Sequence, residues 1–332
     1  TVTISDNDPV SNAAMERVAE LLLPDRMDEF RRSGEADLAY EVEEAGRFRV
    51  NVFRQRGRIS AAFRHIPADI PGFGELGLPV EQMQHLASRK HGLVLVTGVT
   101  GSGKTTTLAS MVDYMNRNFG RHVITIEDPI EFSHEDGTCL VEQREVGTDT
   151  ASFTRALKHV VRQSPDVILI GEMRDRETID TALNAAEIGH LVLSTLHTAS
   201  AKQTLERIVS YFPPHQHELV RMQLSNTMEG IISQQLLNRA DGEGRVPAVE
   251  LMMRAPTICE LIEKDRTREL PRAMMEDTYF GSQTYSQALE SLFRDGTVTR
   301  DEALAAASRP QELKNKLQGL EVGRGSPGRQ GD

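Results

Sequence analysis

Residues 98–105 read GVTGSGKT, a full match to G-x-x-x-x-G-K-[ST], lodged between the apolar run Leu93-Val94-Leu95-Val96 and the helix-like stretch Thr106 to Asn116. A strand, a glycine-rich turn and a helix in that order make a phosphate-binding loop. Gly98, Gly101 and Gly103 let backbone N–H groups turn inward and close around phosphate oxygens with no Cβ in the way. Lys104 is then expected at the β/γ-phosphates and the Thr105 hydroxyl at Mg²⁺, with Thr100, Ser102 and Thr106 completing the nucleotide-binding set. The helix that begins here adds the positive end of its dipole, so an anion is favoured before any side chain is counted.

Around this loop the chain divides by pattern. Residues 1–66 read as a small α+β module: helices over Ser11 to Leu23 and Asp25 to Arg32, then alternating strands at Asp37 to Val42, Arg47 to Phe53 and Ile59 to Ile66. Prolines and glycines over 67–79 discourage both helix and strand, which makes that segment a linker. Residues 80–318 form a second domain. Its apolar strands Leu93 to Thr97, Val123 to Glu127, Val167 to Ile170 and Leu191 to Leu196 alternate with helices at about 103–118, 151–164, 175–189 and 214–237. Such alternation predicts an α/β fold with a mostly parallel, doubly covered sheet and ligands at the carboxyl ends of its strands. Short helices are expected from Pro256 to Leu317, and the polar, Gly- and Arg-rich tail 319–332 is expected to be disordered.

Composition limits the partners. A net charge of −11 opposes non-specific attraction to nucleic acid, so no nucleic-acid partner is expected. No apolar run approaches the ~20 residues of a membrane helix, and the start lacks the basic-then-apolar order of a signal peptide, which makes the cytoplasm the expected compartment. Cys139 and Cys259 are too few for a disulfide framework or a four-thiolate zinc site, and both are expected to be buried small side chains. The strand-like Val2-Thr3-Ile4 has nothing visible to pair with, as in a fragment whose upstream part is missing.

Two further strands end in acids. Val123 to Ile126 runs into Glu127-Asp128-Pro129, and Val167 to Ile170 runs into Gly171-Glu172, placing both carboxylates on the sheet edge that carries Lys104. A nucleoside triphosphatase needs one acid near Mg²⁺, usually through its waters, and another to orient the attacking water. Glu172 suits the first task and Glu127 the second. The strand Leu191 to Leu196 is bracketed by His190 and His197; His197 closes the same edge, where an imidazole could sense the γ-phosphate. In the N-terminal module Arg47, Arg49, Arg54, Arg56, Arg58 and Arg64 fall close together. They make either a solvated basic face or a source of guanidinium groups for a nucleotide held by the other domain.

These segments resemble a known family. GVTGSGKTTTLA at 98–109, ITIEDPIEF at 124–132, VILIGEMRDRETI at 167–179 and GHLVLSTLHT at 189–198 resemble the Walker A, Asp, Walker B and His boxes of the secretion-type ATPases. RFRVNVFRQRGRISAAFR at 47–64, LVEQREVGTDT at 140–150, PTICELIEKDR at 256–266 and GSQTYSQALESLFRDGTVTRDEAL at 281–304 are similar to the PilT branch, the type IV pilus retraction motors. The resemblance implies a PAS-like N-terminal domain, truncated at its start, and a RecA-like ATPase domain. It also implies a homo-hexameric ring with ATP and Mg²⁺ between domains. Lys104 and Thr105 would bind phosphates and Mg²⁺, Glu127 would be the general base, Glu172 the Walker B acid and His197 the His-box residue. Arg49 and Arg64, with Arg58 as a third, match the arginines that reach nucleotide. The implied partners are an inner-membrane pilus platform protein and a paralogous retraction ATPase, with twitching motility as the output. The branch's LIRE stretch stands here as Leu261-Ile262-Glu263-Lys264. Two alternatives remain: an assembly or secretion motor, which typically carries paired C-x-x-C motifs absent here, and a PilU-like accessory subunit.

Overall fold

The computed structural model describes residues 10–43, 45–66, 69–277 and 279–324. Val2-Thr3-Ile4 and the last part of the tail, 325–332, lie outside the described residues. The chain forms two compact units, Thr1–Asp69 and Ile70–Asp332.

In the first unit α1 (Asn12–Leu22) and α2 (Met27–Ser33) precede β1 (Glu35–Val42), β2 (Gly46–Gln55) and β3 (Arg58–Ile66), an antiparallel sheet in the order β1-β2-β3. Ser11 caps α1 by accepting from the Ala14 N–H, and α2 stops at Gly34 in the left-handed region at φ 82°. Alternation on β2 turns Val50 and Val52 inward against Ala19, Leu23 and Phe30 from the helices. A two-residue turn, Arg56-Gly57, joins β2 to β3 with both φ values positive, the geometry that matches strand twist in a tight hairpin.

The second unit opens with α3 (Val80–Ser88), β4 (Gly92–Thr97), α4 (Lys104–Asn118), β5 (His122–Glu127) and β6 (Leu140–Glu145). It continues with α5 (Phe153–Val160), β7 (Val167–Ile170), α6 (Arg176–Glu187), β8 (Leu191–Leu196), α7 (Ala201–Ser210) and α8 (His217–Thr227). Then follow β9 (Met228–Asn238), β10 (Arg245–Met253), α9 (Pro256–Glu263), α10 (Leu270–Glu276), α11 (Tyr285–Arg294), α12 (Arg300–Ala306) and α13 (Pro310–Arg324). The sheet order is β10-β9-β4-β8-β7-β5-β6; every pairing is parallel except β10 with β9. It is an α/β fold with a central mixed sheet.

Strands β4, β5, β7 and β8 are dry on both sides because their alternate residues enter different cores. Leu93, Leu95, Ile124, Ile126, Ile168 and Ile170 pack against α5, α6, α8 and α9. Val94, Val96, Val123, Val167, Leu169 and Leu193 pack against α3 and α4. A third cluster joins Leu237, Val246 and Ala248 of the β9–β10 pair to Leu289, Val298, Ala303, Leu313 and Leu317 of the C-terminal helices.

Three expectations are corrected. The helix expected over 214–237 ends at Thr227, and Met228–Asn238 is a strand between β4 and β10. Sheet pairing on both edges and the tight seat of Gly230 override the local helical spacing: a Cβ there would stand 2.8 Å from the Cδ2 of fully buried Leu86. The tail expected to be disordered from Gly319 remains helical to Arg324. Cys139 is buried as expected, but Cys259 is only half-buried.

Gly230→Val should therefore overpack the α3–β9 contact, and thermal denaturation should show a loss of about 1–3 kcal/mol with the sheet otherwise intact.

Candidate active site

Because β4, β8, β7 and β5 run parallel in register, their carboxyl ends form one edge: Thr97 pairs with Leu196, Ser194 with Ile170, and Ile170 with Ile126. The next residues along each strand are the phosphate loop, His197, Gly171-Glu172 and Glu127 itself. The structure thus gathers Lys104, Glu127, Glu172 and His197 on one edge.

The loop's glycines serve different needs. Gly101 has φ +77° and open space around its missing Cβ, so backbone conformation alone requires it. Gly98 and Gly103 also meet steric limits from β9: a Cβ at Gly98 would fall 2.3 Å from the Gln234 carbonyl, and one at Gly103 2.9 Å from Gln234 Nε2. Lys104 opens α4 and donates to the Gly98 and Val99 carbonyls at 2.9 and 3.0 Å. Burial lowers its ammonium pKa, while the charges of Glu172 and Glu131 act the other way. Thr105 and Thr106 follow on the first turn of α4, half-buried.

Gly171 explains why the second acid comes one residue late. Its N–H donates to the Ile126 carbonyl at 2.8 Å, and an added Cβ would lie 3.2 Å from that oxygen and 3.4 Å from Glu127 Cα. A side chain at this point would wedge β7 from β5, so the functional carboxylate is carried by the next residue. Glu172 sits between Arg174 Nε at 2.8 Å and His197 Nε2 at 3.3 Å. Arg174 was not anticipated, although it lies two residues on in the same segment.

Glu127 is held in a polar clasp inside the sheet. Its carboxylate accepts from Thr125 Oγ1 at 2.6 Å and from Gln143 Nε2 at 3.1 Å. Thr125 and Gln143 are direct partners across β5 and β6. Gln143 also donates to the Phe132 carbonyl and accepts from the His134 N–H, so it fixes the segment that follows Glu127. Desolvation pushes the Glu127 carboxyl up from its ordinary value; hydrogen bonds from Thr125, Gln143 and the Glu131 backbone recover part of that. Burial also holds the His134 imidazole down at about 4, neutral at physiological pH. Thr125 was legible as the same-face residue two before Glu127. Gln143 was not, because β6 (LVEQRE) is a polar edge strand with no apolar alternation.

In the N-terminal unit Arg49 and Arg64 are direct partners across β2 and β3. Two cations opposite one another on a sheet repel, so stability does not account for the pair. Arg58 stands apart at the hairpin end, where it lines a groove with Met15 and Val18. Arg54 lies over the Phe30 ring at 5.7 Å.

A phosphate loop at the end of an interior strand of a doubly covered sheet, with two carboxylates and an imidazole on the same edge, defines a P-loop ATPase of RecA-like architecture. Residues 47–292 match the family of type II/IV secretion system proteins, and the chain belongs to that family, as an ATPase of the PilT type. It is 46% identical over 279 residues to the type IV pilus retraction ATPase PilT of Pseudomonas aeruginosa, covering 84% of this chain and 80% of that protein. Identity to the type IV pilus ATPase PilU of the same organism is 45% over 286 residues, 86% of this chain and 75% of that one. A crystal structure of the pilus retraction motor PilT with bound ADP superposes with a TM-score of 0.85 at 46% identity, over 90% of this chain and 85% of that one.

The raised pKa of Glu127 sets a pH signature. A carboxyl held above its unfolded value favours the fold when protonated, so its contribution is full below the ordinary carboxylate range and declines as pH rises through the folded value. Glu127→Gln removes that titration. Its melting temperature should match the parent in acid and exceed it at neutral pH, each 1 kcal/mol appearing as ~2–4 °C.

Proposed function

We propose that this ATPase is a hexameric motor that drives type IV pilus retraction, and with it twitching motility, by nucleotide-dependent domain movement. The observation that carries this is 46% identity to the retraction ATPase PilT across 84% of the chain, alongside the loop, the two acids and the histidine on one edge. Gly98, Thr100, Gly101, Ser102, Gly103, Lys104, Thr105 and Thr106 hold the ATP phosphates. Glu127 takes the proton of the attacking water. Its burial raises its basicity at that position, while Thr125 and Gln143 keep it aimed. Glu172 and His197 read the γ-phosphate side. Arg49 and Arg64, with Arg58 in a lesser role, supply guanidinium groups to nucleotide from the N-terminal domain, residues 1–66. Residues 67–79 act as the linker to the ATPase domain, 80–318.

Mg²⁺ fits the donor set. Thr105 offers a hydroxyl and Glu172 a carboxylate, both hard oxygen ligands. No group of three or more acidic, histidine or cysteine side chains that could cage a metal occurs among the described residues. When bound, Mg²⁺ neutralises charge on the β/γ-phosphates.

Among the described residues no helix is long and apolar enough to cross a membrane. The motor would act from the cytoplasm, docked at the inner membrane on a pilus platform protein and working beside a paralogous retraction ATPase. A second reading, the PilU-like accessory subunit, is favoured by 45% identity to PilU. An assembly or secretion motor lacks comparable support, since Cys139 and Cys259 cannot supply paired C-x-x-C motifs.

Steady-state assays should show Glu127→Gln losing ~10²–10⁴-fold in turnover, the span of general acid–base catalysis. Lys104→Ala should abolish activity together with ADP binding. Equal rates for Glu127→Gln and the parent would remove Glu127 from the reaction. In the host, deletion of the gene should leave cells hyperpiliated and non-motile. Bald cells would overturn retraction, and normal piliation with weakened motility would favour the accessory role.

A further inference from the structure

Behind the phosphate loop stands Gln234 on β9, a residue that neither the sequence motifs nor the proposed mechanism uses. It is 4% exposed. Its Nε2 donates to the Ser102 carbonyl at 2.6 Å, and its Oε1 accepts from Thr107 Oγ1 at 3.0 Å. The amide therefore bridges the loop's last turn and the first turn of α4. Its orientation is fixed chemically, because a carbonyl oxygen can only accept. Next to it, Ser233 Oγ pairs with Thr97 Oγ1 at 2.8 Å where β4 enters the loop.

We propose that Gln234 is a positioning residue of the phosphate loop, acting through the Ser102–Gly103 peptide. In a trans peptide the carbonyl and the following N–H point in opposite directions. Holding the Ser102 carbonyl toward β9 turns the Gly103 N–H away from β9, toward the concave face where phosphate oxygens lie. The Thr107 hydroxyl keeps the amide from rotating out of that bond. A glycine-rich loop has little stiffness of its own, so its N–H directions must be set from outside. Gly98 is constrained differently: the Gln234 backbone carbonyl leaves no room for a Cβ at that position. This inference rests on the assignment of GVTGSGKT as the phosphate site.

The test compares ADP affinity and the KM for ATP in the full chain carrying Gln234→Met, Thr107→Val, Thr107→Ser or Lys104→Ala. Methionine preserves volume and removes both hydrogen bonds. Gln234→Met should weaken ADP binding and raise KM at least tenfold, and Thr107→Val about threefold, while Thr107→Ser restores parental values. Because Thr107 acts only through Gln234, the Gln234→Met/Thr107→Val double variant should bind ADP no worse than Gln234→Met alone. Parental affinity in Gln234→Met would mean that it only fills space, and multiplying losses in the double variant would mean that the two act separately; either overturns the proposal. Should Gln234→Met fail to fold, the Thr107 pair decides: parental affinity in Thr107→Val overturns it. Parental ADP affinity in Lys104→Ala would instead remove the phosphate-site assignment, and this inference with it.

Discussion

All six residues of β4 are buried, and the rest of the ATPase unit follows from that burial. A strand that meets water on neither face must be covered by helices on both, and covering helices enter through crossover connections that leave successive strands parallel. Parallel strands put their carboxyl ends together. Chemistry delivered by segments as distant as Lys104 and His197 therefore converges without any long loop to carry it. The same burial accounts for the alternation of Leu93 and Leu95 into one core and Val94 and Val96 into the other.

The convergence has an electrostatic consequence. Glu172 and Glu131 both act on Lys104, and Glu131 also raises the pKa of Glu127, so the edge holds three carboxylates around one partly desolvated ammonium. Carboxylates that share an edge destabilise one another unless cations or hydrogen bonds intervene. Arg174 and His197 intervene at Glu172, and Thr125 and Gln143 at Glu127. The two acids are thus managed differently, one by a guanidinium and an imidazole and one by neutral donors within the sheet. Glu127 thereby keeps a raised affinity for a proton.

What was legible in the sequence depended on whether the signal was local. The runs at β4 and β7 are continuous apolar stretches and those at β5 and β8 are interrupted only by Thr125 and by Ser194-Thr195, and such runs mark strands buried on both faces. Lys104, Glu127 and Glu172 sit at fixed offsets from them. The segment 228–238 carried no such mark: MEGIISQQLLN follows α8 directly, and a short apolar run next to a helix reads equally as its continuation. Only pairing with β4 and β10 decides the matter. Gln143 and Gln234 were hidden for the same reason, since each acts by hydrogen bonds across the sequence, Gln234 on a carbonyl 132 positions away. The arginines were legible as a cluster, and the family resemblance already picked out Arg49 and Arg64; what the sequence could not show is that the register of β2 with β3 sets these two directly opposite one another.

Strand β9 joins two parts of the unit that the sequence gives no reason to connect. At Gln234 it touches the phosphate loop, and one residue on, Gln235 Oε1 accepts from the Tyr285 hydroxyl at the start of α11. Farther along, Leu237 enters the core shared with α11, α12 and α13. Its partner β10 is bound to the same region through paired backbone bonds between Leu251 and Gln283. Close-packed interiors do not absorb displacement at one point without passing it to their neighbours. The loop's contact with Gln234 and the packing of the C-terminal helices therefore share one buried strand. The phosphate loop and the C-terminal helices α11 to α13 are thus joined through one strand by hydrogen bonds that no motif records.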